Sequence, residues 1–210
     1  MKKCLLILLS LIGVSINADA QPVRSFGGAG GPELCWAMCH PKAGRIVFAC
    51  AQRARAVTDS LQNAGTLADG NGGRLDAFRH AYWMALCVQQ ITPAKAEQAG
   101  RAHEKTNYKQ FKRGRYEDGA QPDSMASVMD LFNNSTGIAI GLAYKSDQSP
   151  NRITLIQRIL NAIKTGQLRI LKKDTAGNFL TCEGKIISVE EYKGKWNVPK
   201  CMVNSNKIQG

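Results

Sequence analysis

Apolar residues recur at three- and four-residue intervals through the first two thirds of the chain, the period of an amphipathic helix rather than of a strand. In residues 45–64 this pattern runs through Ile46, Val47, Ala49, Cys50, Ala54, Val57 and Leu61 and predicts a first helix. A loop rich in Gly, Asp and Asn over residues 65–73 separates it from a second helix at about 75–90. Thr92 is placed to cap a third, with Pro93 in its first turn and Glu97 early in it. Asp123 or Ser124 caps a fourth that runs to about Ala143. Ser149 and Pro150 open a fifth with Ile153, Ile156, Ile159, Leu160 and Ile163 as its apolar stripe. The pattern changes after Gly166. Residues 168–172 and 179–182 flank the turn-forming segment 174–178, which predicts a hairpin, and residues 186–189 add a short strand. The expected fold is mainly α: a bundle of about five helices with a small C-terminal β-hairpin region.

The start of the chain reads differently. Lys2 and Lys3 precede an apolar run over residues 4–16, too short to span a bilayer comfortably, and Ala18 and Ala20 offer small residues to a signal peptidase. Residues 1–20 are therefore expected to be a cleavable signal peptide, with a periplasmic or secreted product beginning at Gln21. Residues 21–34 form a Gly-rich lead-in. It lacks the strand-then-helix context of a phosphate-binding loop. A single helical domain is expected over 35–166, with 167–210 as a small β or irregular extension of it.

Charge and cysteine content sharpen this picture. The chain carries +12, and +11 once the two lysines and one aspartate of the first twenty residues are set aside, which points to an anionic polymer as partner. Residues 108–121 read as a non-periodic basic surface loop. Its Lys112, Arg113 and Arg115, with Lys109 and the rings of Tyr108, Phe111 and Tyr116, are candidates to bind such a polymer by charge and stacking. Six cysteines follow the signal, and an even number in an exported chain reads as up to three disulfides. Cys182 and Cys201 are the favoured bridge, leaving Cys35, Cys39, Cys50 and Cys87 to pair among themselves. A metal held by Cys35, Cys39 and His40 is the alternative, without a second paired-cysteine motif to complete it.

Three predicted helices carry polar residues on faces that should point inward. Asp76 and His80 are four apart, so the imidazole can reach the carboxylate; His103 and Asn107 share a face, with Glu104 beside them. Asp130, Asn133 and Asn134 sit among Val128, Met129, Leu131 and Phe132. Buried polar groups cost free energy unless paired, so these faces are best satisfied by meeting in one cluster. Taken singly, each has a structural explanation: Asp76 can serve the helix dipole, Arg79 can pair with an acid, and the asparagines can bond a neighbouring helix. Together they hold the residue types of acid–base chemistry or of a one-metal site.

The segments at 76–83 (DAFRHAYW), 102–104 (AHE) and 129–134 (MDLFNN) resemble an uncharacterised helical domain of bacterial secreted proteins and of the C-termini of RHS-type polymorphic toxins. The resemblance covers about residues 72–142. In that pattern the place of Phe132 is often polar, commonly His, and this chain departs from it. The resemblance implies a secreted or delivered, effector-like hydrolase.

The expected activity is hydrolysis of an anionic cell-envelope polymer, peptidoglycan first. Catalytic candidates are His80, His103, Glu104, Asp130, Asp76 and Asn134; Arg79, Asn133 and the basic loop are expected to bind substrate. Without a metal, Glu104 is the general acid, Asp76 orients His80 and Asp130 supports a second charge. With one divalent ion, His80 and His103 join Asp130 or Glu104 as ligands and leave a position for water. A metal-dependent nuclease or phosphodiesterase is a second expectation. The third is a non-enzymatic envelope-binding or immunity-like adaptor whose cluster is only a buried hydrogen-bond network.

Overall fold

A computed structural model of the chain describes residues 31–115 and 121–207. The expected signal peptide and most of the Gly-rich lead-in lie outside the described residues, as do Tyr116 and the four residues after it. The fold is mainly α, in the order α1 (Gly31–Cys39), α2 (Pro41–Asn63), α3 (Arg74–Cys87), α4 (Pro93–Lys112), α5 (Ser124–Ser146), α6 (Leu155–Lys164), β1 (Arg169–Leu171), α7 (Val189–Tyr192) and β2 (Met202–Asn204). No helix among the described residues is long and apolar enough to cross a membrane.

Helix α3 is the axis of the molecule. Leu75, Ala77, Phe78, His80, Ala81, Tyr82, Trp83, Met84, Ala85 and Cys87 are all buried, so α3 is enclosed on nearly every side, by α2, α5 and α6. Small residues set its closest contact. A Cβ on Gly137 would stand 2.1 Å from the Ala81 carbonyl oxygen, and one on Gly141 would stand 2.7 Å from that of Ala85. Glycine at these two positions, four residues and one turn apart, lets α5 lie directly on the backbone of α3. That approach brings the first half of α5 beside the polar face of α3.

The caps explain the helix boundaries. The Thr92 side chain accepts from Lys95 N to start α4, and Asp123 accepts from Met125 N and Ala126 N to start α5. Helix α6 begins at Leu155, later than the Ser149–Pro150 signal indicates, because Thr154 and Gln157 form a reciprocal capping box. Ile153 thereby falls outside the helix and is exposed. Helix α1 is an addition: residues 31–34, read as lead-in, are its first turn.

The C-terminal segment folds back on the helices. The turn at 174–178 forms, with Lys173 bridging Phe179, but β1 takes β2 as its ladder partner, antiparallel, with Ile170 opposite Val203. The expected 168–172 to 179–182 hairpin is thus reduced to one isolated bridge beside the turn, while Leu180 bridges Ile186 of the following segment. Cys182 and Cys201 are disulfide-bonded, their Cα atoms 4.7 Å apart. The other four cysteines are thiols here, which corrects the expectation of further bridges. Cys35 and Cys39 are exposed on α1, while Cys50 and Cys87 are buried, with Gln90 Nε2 donating to Cys50 Sγ at 3.6 Å. Segment 108–121 is also corrected, since α4 continues to Lys112 and the rings of Tyr108 and Phe111 pack on Trp196 at 4.9 and 5.1 Å. These rings dock the C-terminal segment.

Candidate functional site

The polar face of α3 meets that of α5 at the floor of a cleft. One helical turn separates Asp76 from His80, and the His80 Nε2 atom lies 3.5 Å from Asp76 Oδ1 and 3.4 Å from Asp130 Oδ1. All three side chains are at least nine-tenths buried. Asp76 is held in place by Arg79, 2.5 Å from its Oδ1, and by the Gly72 N–H, which donates to Oδ2 at 2.9 Å. Neither ring nitrogen of His80, nor Oδ1 of Asp130, completes a hydrogen bond of ordinary geometry; the same holds for both amide atoms of Asn134. Asn134 fits against α4 because residue 100 is glycine, where a Cβ would come within 2.9 Å of the amide nitrogen.

Burial controls the charge of this cluster. Desolvation holds His80 well below the ordinary histidine value, with Arg79 and His103 acting in the same direction and the Asn134 amide against it. Desolvation likewise lifts Asp130 well above the usual carboxylate range, and the charges of Asp76 and Glu104 add to the rise. Burial thus favours the neutral form of both the imidazole and the carboxyl. Asp130 has the desolvated environment that suits a general acid.

His103 and Glu104 stand at the edge of this arrangement. The His103 ring lies 5.9 Å from that of His80, packs edge-on against Trp83 at 5.5 Å, and uses Nδ1 to contact Glu33 Oε1 of α1 at 2.9 Å. Among the described residues, Asp76, His80 and Asp130 have ligand atoms that all lie within 4.8 Å of one another, a group that includes two of the three expected ligands and takes Asp76 where His103 was expected. Glu104 is buried and accepts from Asn107 Nδ2 at 3.3 Å. Asn133 is a correction. Its amide spans the backbone of Arg169, donating to O and accepting from N, both at 2.9 Å, so it joins α5 to β1 and is closed to substrate. Phe132 is partly exposed with the Arg169 guanidinium 4.4 Å above its ring.

The cleft has a volume of about 190 Å³, and Asp76, Asp130 and Asn107 form part of its lining. Arg79 lines it from α3, Arg55 from α2 and Lys200 from the C-terminal segment; Lys200 also reaches Asp123 Oδ2 at 2.6 Å. Arg55, Lys200 and Glu33 carry no signal in the sequence. Each is an ordinary charged residue on a segment remote from the polar faces, and only folding brings it near them. A second, open groove of about 780 Å³ lies behind Glu104, lined by Arg101, Lys105, Lys109 and Lys112 of α4 together with Trp196 and Leu131. Lys112 sits 4.8 Å from the centre of the Tyr108 ring, while Arg113 and Arg115 are exposed beyond the end of α4.

Comparison of the chain with curated proteins and with solved structures gives no match. A family profile does match, over residues 34–167, from within α1 to just beyond the end of α6, and it includes every residue of the cluster. The chain belongs to the family described as a domain of unknown function, DUF6973.

Proposed function

We propose that this chain is an exported, effector-like hydrolase acting on an anionic cell-envelope polymer, with peptidoglycan the first substrate to test. One observation carries the reading: Asp76 and Asp130 line a cleft with Arg55, Arg79 and Lys200, and the buried His80 contacts both carboxylates from behind that lining. A buried network kept only for folding would satisfy its own members, whereas His80, Asp130 and Asn134 each leave polar atoms without a completed hydrogen bond. Of these groups Asp130 lines the cleft, and His80 lies directly behind it, within reach of a water admitted between the two carboxylates. His80 then takes the proton of the attacking water, Asp130 supplies one to the leaving group, and the cleft arginines position the anionic part of the substrate.

The cationic lining also favours a second reading, a phosphodiesterase, since Arg55, Arg79 and Lys200 surround a space suited to a phosphate. Parallel assays on peptidoglycan, nucleic acid and phospholipid, with Asp130→Asn beside the wild type, separate the two. Release of soluble glycan or peptide fragments that is lost in the variant supports the first reading. Turnover confined to a phosphodiester transfers the site to the second, and no turnover on any of the three overturns both.

A further inference from the structure

We infer that Asp76, His80 and Asp130 form a binding site for one divalent transition-metal cation. The inference rests on the hydrolase reading only in giving the ion a role, since occupancy can be measured without any substrate. Two carboxylates near each other do not make a site, so the weight falls on His80. Its side chain is 1 % exposed, its Nε2 faces both carboxylates, and neither ring nitrogen completes a hydrogen bond. A histidine buried at this depth ordinarily has a partner for each nitrogen.

The distances agree with a shared ion better than with hydrogen bonds. Nitrogen-to-oxygen hydrogen bonds cluster near 2.9 Å, roughly half an ångström shorter than the 3.4 and 3.5 Å seen here. Ligand atoms placed about 2.1 Å from a tetrahedral ion are separated from one another by roughly 3.4 Å. All three ligand atoms fall within 4.8 Å of one another, inside the reach of one ion after small rotations of the side chains. Two of the three ligands are one turn apart on a fully packed helix, and the third is fixed by the glycine-mediated contact of α5 with α3.

Charge and ligand type narrow the identity of the ion. The site brings Asp130 into the field of both Asp76 and Glu104, and Arg79 contacts Asp76 directly. A divalent ion between Asp76 and Asp130 would answer the charge that Arg79 leaves. One imidazole with two carboxylates suits zinc, manganese, iron or cobalt better than magnesium or calcium, which prefer oxygen-only shells. Three protein ligands leave positions open on the cleft side, the arrangement of catalytic rather than structural sites. Water bound there would be a stronger nucleophile at neutral pH. His80 and Asp130 would then act as ligands, and the proton-handling roles assigned to them above would belong to the cation-free form.

The test uses the full mature chain, stripped with chelator, dialysed, and titrated separately with Zn²⁺ and Mn²⁺ by calorimetry, with metal content read by mass spectrometry. Cys35 and Cys39 are changed to serine in a parallel sample, because their exposed thiols are a competing zinc site. The expected result is one equivalent bound with or without those thiols, a higher melting temperature when loaded, and affinity lowered roughly tenfold or more by Asp76→Asn, His80→Gln or Asp130→Asn. Should a variant fail to fold, Co²⁺ loaded into the wild type still decides, because nitrogen and oxygen ligation gives visible bands without a thiolate charge-transfer band. Less than a tenth of an equivalent bound, binding lost with the two thiols, or affinity unchanged in all three folded variants would overturn the proposal. Tight binding without turnover removes the hydrolase reading alone; turnover by a protein that binds less than a tenth of an equivalent under added metal removes the cation alone.

Discussion

The Nε2 atom of His80 on α3 lies 3.4 Å from Oδ1 of Asp130 on α5, in a contact where both side chains are removed from water. Fifty residues of sequence separate the two, and the Gly137–Ala81 contact sets the closeness of their helices.

The pH dependence of stability in the cation-free protein follows from the two buried groups. His80 is lowered in the folded chain, so below the ordinary value of 6.5 the unfolded chain binds a proton that the folded chain refuses. Its effect is nil above that value, and stability falls as pH drops below it. Asp130 is raised, so its contribution is fully present below 3.8 and is lost as pH rises through its folded value. Urea unfolding in chelator should show Asp130→Asn gaining more stability at pH 7.5 than at pH 4, and His80→Gln losing the downward slope just below pH 6.5. A larger gain for Asp130→Asn at pH 4 would contradict the sign of its shift.

Gly137→Ala tests the helix contact. The added Cβ would meet backbone at 2.1 Å, and backbone cannot rotate away as a side chain can. A loss of about 1–3 kcal/mol is expected, along with weaker function or ion binding as Asp130 moves from His80. Gly100→Ala meets only the Asn134 amide, at 2.9 Å, and should cost less. Equal thermal stabilities for Gly137→Ala and the wild type would mean that the two helices can separate freely.

Asn133 and Asn134 are adjacent and should behave in opposite ways. Asn133→Ala removes both bonds to the Arg169 backbone and leaves buried groups unpaired, at a cost of roughly 2 kcal/mol or more. Asn134→Ala removes only the amide's contact with His80 and no hydrogen bond of ordinary geometry, so its melting point should change less than that of Asn133→Ala while turnover falls. Comparing melting temperature with rate per folded molecule checks the pair; loss of activity at Asn133 without loss of stability would restore that residue to the site.

Replacing Cys182 and Cys201 together with serine opens a loop of nineteen-residue separation, worth roughly 3 kcal/mol in the chain-entropy model. Lys200 precedes Cys201 and reaches Asp123, the cap of α5, so the cleft wall should loosen as well. Thermal unfolding combined with substrate titration reads both effects. An unchanged KM alongside a lowered melting point would confine the disulfide to stability.

Changing Lys112, Arg113 and Arg115 to glutamine should flatten the salt dependence of binding to peptidoglycan, because exposed charges act through a screened field. Stability should move by no more than about 0.5 kcal/mol, since Arg113 and Arg115 are exposed and Lys112 only overlies Tyr108. An unaltered salt slope would place the polymer contact elsewhere, with the α4 groove lined by Lys105 and Lys109 the next candidate.

Much of this molecule is determined locally and is legible in the sequence. Periodicity marks α2, and caps mark α4 and α5, because a helix satisfies its own backbone and its ends need only local partners; Thr92 and Asp123 act as the caps that their positions indicate. The four-residue step from Asp76 to His80 is likewise a local fact. Tertiary structure decided whatever depends on which surfaces meet. It joined β1 to β2 instead of to its sequence neighbour, because a two-stranded ladder is chosen by what packs beneath it and the return of residues 201–205 is remote in sequence. It directed Asn133 to a backbone and Asn134 to the cluster, since adjacent helical residues diverge by about 100° and only the neighbouring elements give each direction its meaning. It also brought Glu33 to His103, and Arg55 and Lys200 to the cleft, through long-range packing that leaves no periodic trace in the order of residues.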